Sequence, residues 1–343
     1  MAVATKPLDE RVREVGLGRK VLSRPEVGAV VGAIGVFVFF AITAGDKGFL
    51  TREGANAYLE QTALLAIVAV PVGLLMIAGE FDLSIGSMIG GAGVVIAIPV
   101  AEYGAPLWQA LLMAFAVALA IGALNGWLVV RTGLPSFIIT LGGMFLIRGA
   151  TIGFTRLITD RTQVGGVNEG IEGSFLHDIF AGELFGLPVS IYWGLAITLL
   201  GMWVLMATRF GNWIFGAGGD AAAARNVGVP VKRVKITLFV CTAAAAALVA
   251  AITVLETGSA DVLRGQLQEF NAITAAVIGG TLLTGGFGSA AGPAVGALIL
   301  SMVSQGIFFT GVNTDWFQMF VGAMLLGAVL INRSIRNYAL RSH

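Results

Sequence analysis

Blocks of apolar residues, each long enough to cross a lipid bilayer, follow one another along almost the whole chain. A transmembrane helix needs about 20 mostly apolar residues. Of the 343 residues, 57% are apolar and only 12% are charged, whereas about a quarter of the residues in a typical soluble domain are charged. The sequence therefore predicts an all-α integral membrane protein, a polytopic bundle of about ten transmembrane helices.

The boundaries of ten spans can be drawn from these blocks. They run over 27–44, 58–78, 85–101, 107–130, 135–154, 189–207, 236–257, 271–287, 291–311 and 316–332. Glycine or polar residues interrupt the third, fifth and eighth spans, and broken or re-entrant helices show the same pattern. Some of the ten helices are therefore predicted to be broken.

Lysine and arginine are concentrated in one set of connecting segments. With the N-terminus inside, the inner segments hold six basic residues before the first span, one after the fourth, five between the sixth and seventh, and three at the C-terminus, whereas the outer segments hold five. Cytoplasmic loops carry such an excess of basic residues, so both termini are predicted to be cytoplasmic. The predicted organisation is a cytoplasmic N-terminal segment at 1–26, a single transmembrane domain at 27–332 and a cytoplasmic tail at 333–343.

The sequence offers little for catalysis or for holding a cofactor. It has no Gly-Lys dipeptide, and hence no Walker A loop for nucleotide phosphates. Cys241 is the only cysteine, and His177 and His343 are too few and too scattered for a metal site. No run of basic residues indicates a nucleic-acid partner. We expect no catalytic residue, no metal and no cofactor.

The stretch GEFDLSIGS, at 79–87, places two carboxylates between the second and third spans. A charged residue at the bilayer centre costs about 2.5–3.5 kcal/mol on insertion scales, so it marks a cavity, a pathway or a partner. In one interpretation Asp82 and Ser84 cap the N-terminus of the third span, and the neighbouring glycines allow the turn. In the other, Glu80 and Asp82 line a translocation route, because carboxylates accept hydrogen bonds from a polyhydroxylated solute. Both interpretations stay open, and they are compatible.

The largest inner segment, RFGNWIFGAGGDAAAARNVGVPVKRVKI at 209–236, contains a short predicted helix. Asp220 follows two glycines and precedes an alanine run, so its side chain can cap the N-terminus of that helix. Gly228 and Pro230 end the helix after about two turns. The small, flat surface of this helix indicates docking on a partner protein. The basic cluster at 232–235 instead indicates a loop whose basic side chains lie at lipid headgroups.

Four stretches of the sequence together resemble the permease subunits of bacterial ABC importers for ribose and related sugars. They are GEFDLSIGSMIG, LPSFIITLGGMFLIRG, RFGNWIFGAGGDAAAARNVGVPVKRVK and AVIGGTLLTGGFGSAAGPAVGALIL, in that order. The resemblance covers nearly the whole chain from the second span to the tenth. It implies a multi-pass protein among the lipids of the bacterial inner (cytoplasmic) membrane. It also implies three partners: ABC ATPase subunits, a periplasmic sugar-binding protein and a second permease copy, in a homodimer or pseudo-dimer.

The resemblance further implies which residues act. In such permeases a cytoplasmic coupling helix carries an E-A-A-x-x-x-G pattern that docks on the ATPase, and here the pattern aligns with 222–228, with Ala222 in place of the usual glutamate. The residues expected to couple to the ATPase are Gly219, Asp220, Ala223, Ala224, Arg225 and Gly228. Those expected at the translocation pathway are Glu80, Asp82, Ser84, Phe137 and Thr140.

The expected function is that of the transmembrane subunit of an ATP-driven importer, which moves a monosaccharide or related polyol from the binding protein to the cytoplasm. ATP hydrolysis belongs to separate subunits, so the chain itself is not expected to be an enzyme. The alternative is a secondary transporter in which protons move through Glu80 and Asp82. A membrane enzyme is a third class, for which the sequence shows neither a metal cluster nor a nucleophile elbow. Pentose, hexose and polyol substrates all remain open.

Overall fold

A computed structural model describes residues 25–169 and 171–341, and this part of the chain is almost entirely helical. Its α-helices are α1 (Pro25–Ala44), α2 (Arg52–Ile77), α3 (Ile85–Tyr103), α4 (Leu107–Thr132), α5 (Ser136–Thr159), α6 (Phe175–Ala181), α7 (Val189–Ala207), α8 (Arg209–Gly219), α9 (Ala221–Asn226), α10 (Val231–Thr257), α11 (Gln268–Ile278), α12 (Ala291–Thr310) and α13 (Phe317–Arg341). Four two-residue strands form two small ribbons: β1 (Gln163–Val164) pairs with β4 (Ala260–Asp261), and β2 (Glu183–Leu184) pairs with β3 (Leu187–Pro188). The all-α polytopic fold is confirmed.

Eight of the described helices are long and apolar enough to cross a membrane, namely α1, α2, α3, α4, α5, α7, α10 and α12. The third and fifth predicted spans are continuous helices, α3 and α5. The eighth predicted span, 271–287, is not one helix, because α11 ends at Ile278 and non-helical backbone follows to 290. The tenth corresponds to α13, whose apolar part, Phe317–Ala328, is short. Most of the predicted N-terminal segment, 1–24, lies outside the described residues.

Helices α2 and α10 form the centre of the bundle, where small side chains allow close packing. A Cβ atom added to Gly122 of α4 would lie 2.7 Å from the carbonyl oxygen of Phe239, and one added to Gly126 would lie 2.9 Å from the Cα of Ile236. Helix α4 therefore lies almost backbone to backbone against α10, the close approach that small residues permit between membrane helices. Helices α1, α5 and α7 carry many exposed apolar side chains instead.

The connections predicted to lie on the outer side of the membrane, opposite the cytoplasm, are in contact with one another. Arg161, after α5, pairs with Glu102 at the end of α3 at 2.8 Å, and β1 pairs with β4, which follows α10. Lys47, after α1, donates to the carbonyl oxygen of Thr310 at 3.4 Å. We call this side of the bundle the outer side and the opposite one, which holds α8 and α9, the inner side.

Two helix breaks, at 78–84 and at 279–290, repeat one glycine spacing. The first reads G-x-F-x-x-x-x-G-x-x-x-G from Gly79, and the second has the same pattern from Gly285. Both of these first glycines have positive φ, 84° and 79°, which a residue without a Cβ adopts without strain. In each case the next helix, α3 or α12, begins six residues later. The chain thus uses the same device twice to turn back at the inner side.

Candidate translocation and coupling sites

The segment at 79–84, called here the re-entrant segment, connects α2 to α3 and is not helical. The N–H groups of Gly79 and Glu80 donate back to the end of α2, and two hydroxyls of α5 bind the backbone beyond them. The N–H of Phe81 donates to Ser136 Oγ at 2.9 Å, and the N–H of Leu83 donates to Thr140 Oγ1 at 3.1 Å. Ser136 and Thr140 are four residues apart and so share one face of the helix. Backbone inside a membrane must find such partners within the protein, so the LPSFIIT stretch supports the GEFDLS stretch.

Asp82 is the most highly connected side chain of the re-entrant segment and is only 2% exposed. Its Oδ1 accepts hydrogen bonds from the N–H of Ser84 at 2.9 Å and from Ser84 Oγ at 2.6 Å, and its Oδ2 accepts one from Thr242 Oγ1 of α10 at 2.7 Å. Asn125 Nδ2 of α4 donates to Ser84 Oγ at 3.0 Å. One carboxylate therefore joins the break between α2 and α3 to α10 directly and to α4 through Ser84.

The predicted capping of α3 by these residues is wrong in its geometry. Ser84 stands at the N-cap position of α3, but its side chain accepts no hydrogen bond from the first turn of the helix. Asp82 binds the backbone two residues ahead, as in an Asx-turn, and so shapes the segment before the helix instead of capping the helix.

Glu80 forms an ion pair with Lys235 on α10, and both side chains are largely buried. The prediction that the basic cluster lies at lipid headgroups is therefore wrong for Lys235, which an acid inside the protein attracts. Lys235, the partner of Glu80, and Thr242, the partner of Asp82, are seven residues apart on α10. The two contacts are therefore about 10 Å apart along the helix axis, and the Asp82 contact lies deeper in the bundle.

The five residues predicted for the translocation pathway occupy two different environments. Glu80, Asp82, Ser84 and Thr140 are buried inside the protomer, where they hold the re-entrant segment. Phe137 is 49% exposed on α5, one residue beyond Ser136. Among the five, Phe137 alone presents a large side-chain surface outside the protomer.

A second buried acid lies where α3 passes α11. The carboxylate of Glu269 lies close against Gly86, where a Cβ would overlap its Oε2 atom. The Oε2 atom of Glu269 and the Nη2 atom of Arg148, on α5, are both buried without a hydrogen-bond partner among the described residues.

The short helix predicted after Asp220 is confirmed as α9. The Asp220 side chain caps it, because its Oδ1 accepts hydrogen bonds from the N–H groups of Ala222 and Ala223, each at 2.9 Å. Gly228, with φ of 88°, follows the helix, and α10 begins directly after Pro230. Unlike the sequence-based prediction, a second helix, α8, precedes the cap.

The surface of α9 is small and open to solvent. Of the six residues predicted to couple to an ATPase, five are exposed, and Ala224 is buried against the rest of the protomer. Sequence reasoning missed Val227, which is 82% exposed. Val227 thus adds one exposed apolar side chain to the surface beside α9.

The end of α8 lies directly against both helix breaks. A Cβ on Gly218 would overlap the carbonyl oxygen of Ile77, the last residue of α2, and would lie 2.8 Å from the backbone nitrogen of Gly286. That nitrogen itself donates to the Ile77 carbonyl oxygen at 2.8 Å. We call this meeting of Ile77, Gly218 and Gly286 the inner junction. It places the segment that carries α9 in backbone contact with both re-entrant breaks.

Comparison with known proteins agrees with the fold and with these motifs. The profile of the family described as branched-chain amino acid transport system / permease component matches residues 54–329. The chain belongs to this permease family. The permease is 34% identical to the ribose import permease protein RbsC of Escherichia coli (strain K12), over 92% of this chain and 97% of the relative.

Two further relatives match over most of their length. The permease is 30% identical to the xylose transport system permease protein XylH of Escherichia coli (strain K12), over 90% of this chain and 91% of the relative. It is also 30% identical to the probable ABC transporter permease protein YphD of the same strain, over 90% of this chain and 89% of the relative. The resemblance to monosaccharide permeases is confirmed, and the chain is a multi-pass inner-membrane permease of an ABC transporter.

Proposed function

We propose that this permease is the transmembrane subunit of an ATP-driven importer, which passes a monosaccharide or related polyol from a periplasmic binding protein to the cytoplasm. The observation that carries the proposal is the inner junction. It joins an exposed, capped helix suited to docking directly to two helix breaks inside the bundle. Similarity to xylose and ribose permeases over nine-tenths of the chain supports a sugar as the cargo.

Separate ABC ATPase subunits dock on α9 in this proposal. Ala223, Arg225 and Val227 present the surface, Gly219 ends α8 next to it, Asp220 fixes the start of the helix, and Gly228 lets the chain turn after it. Ala224 anchors the helix to the protomer, because it is buried. Movement of the ATPase then reaches the inner junction through α8.

The translocation pathway runs between two copies of the permease, along the exposed face of α5. Phe137 lines it, whereas Thr140 holds the re-entrant segment against α5. Glu80 and Asp82 hold the segment against α10, and Ser84 holds it against α4. The residues predicted for the pathway therefore divide into one lining residue and four positioning residues. The binding protein docks on the outer connections at 160–188, which carry several acidic residues.

A branched-chain amino acid is the second candidate cargo, since the matching family is described by that transport system. The proton-coupled alternative has less support. Glu80 is paired with Lys235, and Asp82 accepts three hydrogen bonds, so both carboxylates are held in the structure by other groups.

Co-purification of the tagged permease from native membranes in a mild detergent tests the proposal. An ABC ATPase subunit should accompany the wild-type chain and should be lost from the double variant Arg225→Glu, Gly228→Asp. Lys232→Glu is the matched control, because Lys232 is exposed on the same side but lies outside α9. A wild-type permease that carries no ATPase, or an ATPase that binds the double variant equally well, would contradict the proposal.

A further inference from the structure

A second polar region lies in the outer half of the bundle, apart from the re-entrant segment. It is a cavity of about 130 Å³ bounded by α2, α3, α10, α11, α12 and the start of α13. Its polar lining consists of Gln61, Thr253, Arg264, Gln268, Asn271 and Ser301. Cavities between membrane helices that serve only packing are apolar, so a lining with six polar side chains needs a reason.

Several of these polar groups have hydrogen-bonding capacity to spare. Ser301 is 1% exposed, and its Oγ has no hydrogen-bond partner among the described residues. In the same part of the chain the side-chain amides of Gln268 and Asn271 are partly exposed and form no hydrogen bond within the protein, although each amide can donate and accept. Buried polar groups are normally satisfied, so the free hydroxyl of Ser301 is unusual. The hydroxyl and the two amides therefore leave the cavity with free hydrogen-bonding groups for a polar occupant.

The volume sets the size of that occupant. A cavity needs about 10–15 Å³ to hold one water molecule. About 130 Å³ therefore suits on the order of ten non-hydrogen atoms, which is the size of a pentose or a five-carbon polyol.

The charges around the cavity indicate a neutral occupant. Arg264 is the one charged residue of the lining, and its guanidinium donates to the carbonyl oxygen of Thr253 at 2.7 Å and to Thr257 Oγ1 at 2.9 Å. No carboxylate lines the cavity in the described part of the chain. The ammonium group of an amino acid would therefore lose its water without gaining a partner, which is costly. The hydroxyl groups of a sugar can form hydrogen bonds with the amides of Gln268 and Asn271 and with Ser301. Phe317 and Leu300 offer apolar surface to the C–H groups of the sugar.

We propose that this cavity is a transient binding site for one neutral, pentose-sized polyhydroxylated molecule in each protomer. The proposal deepens the proposed function and rests on it, since the bound molecule belongs to the class of the transported solute, although the site lies apart from the exposed face of α5. Gln268 and Asn271 lie on α11, and the break that follows α11 carries Gly286 of the inner junction. A short helix thus connects the cavity with the coupling side of the protein.

Binding measured on the permease together with its ATPase subunits, in lipid nanodiscs, tests the site. Equilibrium dialysis with radiolabelled D-xylose and with xylitol should show saturable, weak binding of one molecule per permease chain. Asn271→Leu and Ser301→Val, which remove hydrogen-bonding groups and fill the cavity, should each weaken that binding at least tenfold. Gln266→Leu is the control, because Gln266 is exposed in the same segment and outside the lining. An excess of leucine should not displace the sugar.

Two readouts separate this inference from the proposed function. Retention of the ATPase subunit identifies variants that have folded, and if Asn271→Leu does not retain it, Ser301→Val decides. Sugar binding that is absent from the wild type, unchanged in the folded cavity variants, or displaced by leucine overturns the site. ATP-driven sugar uptake by the same wild-type complex leaves the proposed function standing in those cases. A wild type with no ATP-driven uptake of any sugar overturns both.

Discussion

Gly218 at the end of α8 lies against the carbonyl oxygen of Ile77 at the end of α2, with no room for a side chain between them. This contact brings the cytoplasmic segment and the first helix break together through backbone atoms alone. The N–H of Gly286 donates to the same carbonyl oxygen at 2.8 Å. Because backbone contacts of this kind cannot adjust by rotamer changes, a displacement of α8 shifts both breaks together.

Gly218→Ala is expected to reduce ATP-driven uptake by at least about tenfold, or to destabilise the protein by about 1–3 kcal/mol or more, because the new methyl group overlaps Ile77. Gly35→Ala is the matched control, since Gly35 lies within α1, apart from the coupling residues, and a Cβ there meets nothing within 4 Å. Uptake into proteoliposomes and thermal unfolding in detergent measure the two effects. Equal behaviour of the two variants would show that the inner junction tolerates separation.

Replacement of one partner of the Glu80–Lys235 ion pair should destabilise the protein more than replacement of both. Lys235→Met leaves the carboxylate buried without its cation, which costs about 3–5 kcal/mol in comparable buried pairs. The double variant Glu80→Gln, Lys235→Met removes both charges and should recover most of that loss. Thermal unfolding of the single and double variants forms the test. If the stability loss of the double variant equals the sum of the losses of the two single variants, the pair does not interact.

Thr140→Val is expected to cost about 1–3 kcal/mol, because it leaves the N–H of Leu83 buried without an acceptor. Thr198→Val provides a matched control. The hydroxyl of Thr198 also lies on a membrane helix, but it donates only to the carbonyl oxygen of Gly194 one turn earlier. Unfolding temperatures of the two variants should therefore differ clearly. A cost as small for Thr140 as for Thr198 would argue that α5 does not hold the re-entrant segment.

Asp220→Ala should weaken co-purification of the ATPase subunit, because loss of an N-cap costs about 0.5–2 kcal/mol and α9 is too short to compensate. Asp220→Asn should behave like the wild type, since asparagine caps helices about as well as aspartate. The amount of ATPase retained per permease chain is the measurement. If Asp220→Asn loses the ATPase as fully as Asp220→Ala, the carboxylate contacts the partner directly and does not act as a cap.

Local features of this fold could be predicted from the sequence, whereas contacts between distant segments could not. The Asp220 cap and the end of α9 near Gly228 follow from neighbouring residues. The support of Phe81 by Ser136 depends on how α5 packs, and nothing within either stretch specifies it. Lys235 was misplaced for the same reason, because its partner is 155 residues away.

One missed feature was visible in the sequence. Comparison of the chain with itself would have matched the glycine spacing that begins at Gly79 with the one that begins at Gly285. That repeat would have placed the interruption of the eighth span at 279–290. The polar cavity around Asn271 could not have been found in this way, because its lining comes from six separate elements.

The central claim is that ATP hydrolysis on separate subunits drives a sugar through this permease. Uptake of radiolabelled D-xylose and D-ribose should therefore be measured in proteoliposomes that contain the permease, its ATPase and the sugar-binding protein, with ATP present or absent. Uptake of at least one sugar should require ATP and the ATPase, and it should fall at least about tenfold in Gly218→Ala but not in Gly35→Ala. Uptake that proceeds without the ATPase, driven by a proton gradient and abolished by Asp82→Asn, would contradict it.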